Sequence, residues 1–230
     1  MLRAILAARP VTVLVAWMLT PDDGGRDGSL REYLRQPERW RHYDPKLFDG
    51  LQNLLHCAAA PAASLIEESG LLLGASFYST EVPDRRLGRD AWREGLLAAA
   101  KDVDLVFLDP DNGLEVPSKP VGHIGSSKYV TWDEVAGLWR LGCSVLIYQH
   151  FPRKPRGVFA QQIVGRLREV TGARLVEAYE TARVLFLLAL QDRHVPMYDR
   201  AAVVLADRWA GEIRPMGFAL AGSERPAADI

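Results

Sequence analysis

Three short stretches bring together side chains able to move protons or hold a ligand. Asp109-Pro-Asp-Asn-Gly113 sets two carboxylates and an amide on a tight turn, and Glu115 follows closely. Carboxylates at that spacing suit proton transfer at a bound substrate, or hold a divalent cation through hard oxygens. Tyr148-Gln-His-Phe-Pro-Arg153 carries His150, whose imidazole can serve as acid, base or ligand near neutral pH. Gly122-His-Ile-Gly-Ser-Ser-Lys-Tyr-Val130 joins small residues, which let a backbone approach an anion, to the charge of Lys128. It lacks the GxxxxGK[ST] spacing of a P-loop. Each stretch also has a plainer reading: turn chemistry for the first, a structural histidine for the second and a crossover loop for the third.

Strands must deliver these groups. Val103–Leu108 is a continuous apolar run that ends at Asp109, and Ser144–Tyr148 is another that ends at Gln149-His-Phe-Pro152. Val11–Met18, rich in β-branched residues, is closed by the turn signal Pro21-Asp-Asp-Gly-Gly25. Ser64–Glu67 and Gly74–Ser79 read as further short strands. Helical patterns cover Leu30–Gln36, Pro45–Cys57, Arg89–Lys101, Thr131–Leu141, Phe159–Thr171 and Asp199–Gly211. The second is well marked: Asp44 is a natural N-cap, Pro45 suits the first turn, and Leu47, Phe48, Leu51, Leu54 and Leu55 form a stripe. Arg174–Tyr179 and Val184–Leu190 read as a hairpin that adds an antiparallel edge strand.

Strands without alternation, separated by helices, predict a three-layer Rossmann-like α/β fold: a mostly parallel sheet with helices on both faces and a C-terminal antiparallel hairpin. No linker divides the chain, so residues 1–230 read as a single domain, with the last ten as a tail. Ligands in such sheets bind beyond the carboxyl ends of the strands. That rule gathers Thr20–Gly28, Asp109–Glu115 and Gln149–Arg153 into one cleft, with Asp109 and His150 delivered by neighbouring strands.

The 230 residues are 48% hydrophobic and 25% charged, with 28 Lys+Arg against 29 Asp+Glu. This composition excludes disorder, and a formal net charge of −1 excludes a uniformly basic nucleic-acid binder. A chain of this length buries roughly 70% of its unfolded surface and folds without disulfides or a structural metal. Cys57 and Cys143 stand in apolar surroundings outside any CxxC pair, as small buried hydrophobes. Val11–Leu19 falls far short of the ~20 residues of a membrane span, and Pro10 interrupts any signal-like run, so no membrane partner and a cytoplasmic location are expected. Local basic stretches remain. Arg31, Arg35, Arg39, Arg41 and His42 interleave with Trp40 and Tyr43, and Pro152-Arg-Lys-Pro-Arg156 precedes Arg166 and Arg168, mixtures that suit phosphate contacts and base stacking.

From about Arg89 to Leu190 the chain resembles class I S-adenosylmethionine-dependent methyltransferases, which carry a Rossmann-like sheet and a C-terminal hairpin. Leu108-Asp-Pro-Asp-Asn112 is similar to the Asp-Pro-Pro-Tyr type motif of amino-methylating base methyltransferases. Asp109 and Pro110 match its first two positions; Asp111 replaces the second proline and Asn112 the aromatic. The resemblance implies S-adenosylmethionine over Thr20–Gly28, held by Thr20, Asp22, Gly24 and Gly25, with Glu67 as the acid for the ribose hydroxyls. No GxG precedes the late pair Gly24-Gly25. It further implies catalysis by Asp109, Asn112 and His150, substrate contacts from Lys128, Tyr129, Gln149 and Arg153, and nucleic acid as partner. Two other readings stand beside it. One is a Mg²⁺-dependent nuclease or phosphodiesterase using Asp109, Asp111 and Glu115, with Lys128 or His150 assisting. The other is a non-catalytic α/β binding module.

Overall fold

Apolar β-branched and leucine-rich runs of four to seven residues cannot stand alone in water, and here they pair into one sheet buried on both faces. A computed structural model describes residues 1–7, 11–21, 31–57 and 63–217. Its strands are β1 (Val13–Ala16), β2 (Ala75–Tyr78), β3 (Leu105–Leu108), β4 (Gly113–Leu114), β5 (Tyr129–Val130), β6 (Ser144–His150), β7 (Leu175–Glu180), β8 (Val184–Leu190) and β9 (Arg214–Pro215). Its α-helices are α1 (Leu2–Leu6), α2 (Pro37–Trp40), α3 (Pro45–Cys57), α4 (Ala63–Glu68), α5 (Arg86–Ala99), α6 (Trp132–Arg140), α7 (Arg156–Thr171) and α8 (Val195–Trp209).

The main sheet has the order β2-β1-β3-β6-β8-β7-β9. The first four strands are parallel, with Val13 in register with Leu105 and Leu108 with Ile147. β8 runs antiparallel to β6, and β7 pairs antiparallel with the outer side of β8. The expected hairpin is therefore present, but its second strand, β8, lies inside the sheet. β7 is in turn covered by β9, so neither hairpin strand is a bare edge. A second, two-stranded parallel pair, β4 with β5, follows the β3 turn.

Alternation along the strands builds two cores. Leu14, Ala16, Val106, Leu108, Val145 and Ile147 meet Trp92 and Leu96 of α5, Val135 and Leu138 of α6, and Val164 and Leu167 of α7. Val13, Val15, Leu105, Phe107, Leu146 and Leu188 meet Ala4 and Ile5 of α1 and Tyr198, Ala201 and Leu205 of α8. Helices on both faces of a mostly parallel sheet make the three layers. The helix ends follow local chemistry. α6 opens on a capping box in which the Thr131 hydroxyl takes the Glu134 N–H and the Glu134 carboxylate takes the Thr131 N–H. α7 stops at Gly172, whose φ of 68° is the left-handed conformation glycine adopts without penalty.

The expected elements change in four places. Ser64–Glu67 is not a strand but part of α4, because Leu65 and Ile66 run into Glu67 and Glu68 with no second apolar step of a strand. Over Leu30–Gln36 the described part is a 3₁₀ turn, Glu32–Arg35; Gln36, preceding Pro37, leaves the helical region, and α2 begins at the proline. His150 is the last residue of β6 rather than a loop residue, paired with Val184. The N-terminal segment before β1 contains a helix, α1, packed on α8. Cys143 is buried as expected, whereas the side chain of Cys57, the tail and the turn from Asp22 to Gly25 lie outside the described residues. Among the described residues no helix is long and apolar enough to cross a membrane.

Candidate functional site

At the carboxyl edge of the sheet the polar residues begin where the buried runs end. The ladder continues one step past β3: the Asp109 N–H donates to the carbonyl of Ala16 at 3.0 Å. Alternation then places Asp109 on the face of Leu105 and Phe107, one step beyond the pair Leu108–Ile147 and hence opposite Tyr148. Tyr148 and His150 stand on that same face, two residues apart, their rings edge-on with centroids 5.1 Å apart. Asp109 and His150 thus leave neighbouring strands on one side of the sheet. Trp17, the first residue after β1, completes the row.

Asp109 is partly buried, and among the described residues no side chain or backbone donor bonds to its carboxyl. Burial, with the Asp111 charge adding to it, pushes its pKa up to about 7. Asp111 is committed differently. Its Oδ2 accepts the Thr20 hydroxyl at 2.8 Å and lies 3.8 Å from Lys128 Nζ. This joins the segment after β1 to the turn after β3. Met18, between them, holds a φ of 49°, a left-handed conformation costly for a side-chain-bearing residue, while its side chain is buried in the core.

The turn itself is clamped from below by Gln149. Its Oε1 accepts the Leu114 N–H at 2.8 Å, and its Nε2 donates to the carbonyls of Asn112 and His150. Gly113, at φ 117°, lies against that carboxamide so closely that any Cβ would collide with it. Gln149 is buried and serves the turn, not a ligand. Asn112 is held through its backbone, N–H to the Lys128 carbonyl and carbonyl from the His150 N–H. Tyr129 lends its carbonyl to Arg89, and Arg153 is exposed beyond β6.

The acid expected for a ribose arrives from an unexpected element. Glu67 sits on α4, yet its Oε1 accepts both the Trp17 indole N–H at 2.9 Å and the Ser79 hydroxyl. Those residues follow β1 and β2, so the carboxylate is delivered to the ends of these two strands. Of the expected cofactor residues, Thr20 and Glu67 lie at this edge, and Asp22, Gly24 and Gly25 are outside the described residues.

The acidic trio does not converge. Glu115 Oε1 takes the Trp132 N–H at 2.9 Å, an acid at the positive end of α6. Among the described residues no three His, Cys, Asp or Glu side chains are grouped to hold a metal. The Gly122–Val130 loop does bind an anion, but an internal one. Asp84 accepts the Gly125 and Ser127 N–H groups at 2.9 and 2.7 Å and the Ser126 hydroxyl. Burial raises the Asp84 carboxyl, and these donors more than offset it, holding it below the ordinary value. Sequence reasoning missed this lock, Tyr148 and the Trp17–Glu67–Ser79 cluster. Alternation back from His150 would have found Tyr148; the other two depend on contacts across the fold.

No family model, curated protein or solved structure matches the chain.

Proposed function

We propose that the chain is an S-adenosylmethionine-dependent methyltransferase acting on an amine of a nucleic acid, with Asp109 receiving the amine. The carrying observation is the state of Asp109: a partly buried carboxyl at a strand end, without a donor among the described residues and titrating at about 7. Such a group is poised near neutral pH between accepting a hydrogen bond as the anion and releasing a proton as the acid. When bound, the cofactor would supply a methyl group on a sulfonium. The anion of Asp109 accepts an N–H of the amine, aims the nitrogen lone pair, and takes up the proton that the nitrogen loses. His150, on the same face, is the next acceptor toward solvent.

The residues fit the cofactor at Glu67. Glu67 uses only Oε1 for Trp17 and Ser79, which leaves Oε2 for hydroxyl donors at the ends of β1 and β2. On the substrate side, Tyr148 supplies an aromatic ring on the face of Asp109, where the Asn112 position has none. The rim also favours nucleic acid. Leu87 and Ile124 are 87% and 88% exposed on either side of the Asp84 lock, flanked by the exposed cations Arg85, Arg86 and Lys119. Lys119 Nζ donates to the Ile124 carbonyl, so the apolar side chain is held out in water by a pinned loop. Aliphatic wedges beside phosphate-binding cations are a means of separating stacked bases.

Thermal shift and methyl transfer test the reading together. S-adenosylmethionine at 100 times its dissociation constant adds about 2.7 kcal/mol, or roughly 5–10 °C in a chain of this size. Transfer of label from the cofactor to an oligonucleotide should follow. No shift with S-adenosylmethionine and no transfer would leave the α/β binding module as the reading.

A further inference from the structure

A cavity that shares no residue with the carboxyl-edge site opens where α1, the start of α3 and the end of α8 meet; its volume is about 620 Å³. That size is in the range of small-molecule sites. Leu2, Leu47, Leu72 and Val204 give it hydrocarbon walls. Tyr43 and Trp209 close one side, stacked with centroids 4.9 Å apart and planes 20° from parallel. Tyr43 also packs against His42 and Trp40, so this aromatic wall is closed on itself and offers hydrocarbon contact rather than a slot for a third ring.

The charges are unbalanced. Arg3, Lys46 and Arg208 line the space with a single carboxylate, Asp44. Arg3 takes that carboxylate in a two-pronged pair, Nε to Oδ2 at 2.6 Å and Nη2 to Oδ1 at 3.1 Å. The Leu47 N–H bonds to it as well. Burial raises the Asp44 carboxyl, but these bonds and the charges of Arg3 and Arg208 keep it below its ordinary value, so it is an anion already surrounded. Lys46 and Arg208 are exposed, and neither forms an ion pair among the described residues. Their surplus charge stands at the rim of an apolar chamber.

We propose that this cavity binds an amphipathic carboxylate of the fatty-acid class, with its hydrocarbon chain against Leu47, Leu72 and Val204 and its headgroup at Lys46 and Arg208. Hydrocarbon burial supplies the affinity and the exposed cations select the anion.

Isothermal titration with dodecanoate, decanoate and dodecanol tests this on the full chain, without S-adenosylmethionine. Dodecanoate should bind one per chain. Removing two methylenes should weaken binding about tenfold. Dodecanol should bind about tenfold more weakly than dodecanoate, and the combined Lys46→Ala, Arg208→Ala variant should bring the two together. Val204→Trp and, from another helix, Leu47→Phe should each block all three ligands; two sites guard against one variant failing to fold. The proposal is overturned by absence of one-to-one binding, by equal affinity for the acid and the alcohol in the unchanged chain, or by undiminished binding in both filled variants.

Discussion

Ser144 Oγ and His194 Nδ1 share a 2.8 Å hydrogen bond, and His194 Nε2, which accepts from Arg193 Nε at 3.0 Å, lies 3.2 Å from Asp104 Oδ1. A hydroxyl, an imidazole and a carboxylate in a row invite comparison with a nucleophilic triad. Ser144 has no exposed surface, however, and its Oγ also accepts the Gln191 N–H at 3.0 Å. The row sits at the start of β6, the edge opposite the candidate site, and ties β1, β3 and β6 to the entry of α8 through Thr12, Asp104 and His194. Ser144→Ala is expected to cost about 1–3 kcal/mol in urea denaturation, the loss of two buried hydrogen bonds, with methyl transfer unchanged. Abolished turnover in a folded Ser144→Ala protein would make this row part of the chemistry.

His194 also gives the fold an acid-sensitive point. Burial lowers its pKa from 6.5, and Arg193 adds to this, against the opposing charge of Asp104. The folded state then binds fewer protons than the unfolded state just below pH 6.5, so stability falls as pH drops through that window. Melting temperature measured from pH 7.5 to 5.5 should decline more steeply for the native chain than for His194→Gln. Parallel slopes would remove His194 as the cause.

Asp109 carries the opposite sign. Its pKa is raised from 3.8 to about 7, so the folded state holds the extra proton between those values. Its contribution to stability is greatest in acid and is lost as pH rises through 7. Asp109→Asn, which cannot ionise, should therefore be more stable than the native chain at pH 8 by about 1–2 kcal/mol, discounted for partial exposure, and no more stable at pH 4. Methyl transfer should vanish in the same variant, and in the native chain it should increase through pH 7 as the anion forms. A variant less stable at pH 8 would show the carboxylate to be a structural anchor.

The placement of Asp109 and His150 was legible because buried parallel strands announce themselves as apolar runs and end in polar residues. The helical pattern from Thr131 likewise gave the start of α6, where Thr131 is the N-cap. Glu67 was legible as an acid near the first strands but not as a helical one: Ser64–Glu67 is too short for periodicity to separate strand from helix. Gln149 read as a ligand contact because its partners, Leu114 and Asn112, are far away in sequence. The same holds for Lys128, whose loop read as a phosphate cradle while Asp84 supplies the anion from the other side of α5. Local rules placed the elements; tertiary hydrogen bonds decided what the polar residues between them do.

Arg89 and Glu134 form the most deeply buried ion pair among the described residues, Nε to Oε1 at 2.6 Å and Nη2 to Oε2 at 2.8 Å. Arg89 also donates to the Tyr129 carbonyl and lies over the Trp92 ring, while its Nη1 is buried without a partner. Removing one member strands the other charge in the core. Arg89→Ala should cost about 3–5 kcal/mol in denaturant titration, whereas the combined Arg89→Met, Glu134→Leu variant should recover most of that loss. A combined variant as unstable as Arg89→Ala would mean that the pair contributes through its hydrogen bonds to β5 and the α6 cap rather than by mutual neutralisation.

Asp84 sets the position of Lys128 through the loop it holds. Gly125 and Ser127 donate to its carboxylate, the 3₁₀ turn Ser126–Lys128 follows, and the Lys128 carbonyl and ammonium both meet the Asp109–Asn112 turn. Asp84→Ala leaves two loop N–H groups unpaired and the Ser126 hydroxyl with only the backbone carbonyl of residue 84, a loss of about 1–3 kcal/mol. Amide exchange at Gly125 and Ser127 should quicken, and methyl transfer should fall through a weaker grip on substrate, a raised KM rather than a lowered kcat. Asp84→Asn, with one acceptor oxygen left, should lie between. Because donors hold Asp84 below its ordinary pKa, its share of stability is present above pH 3.8 and lost in acid, so the stability gap between the native chain and Asp84→Ala should narrow as pH is lowered toward 3. A gap that stays constant down to pH 3 would show that the carboxylate charge does not anchor the loop.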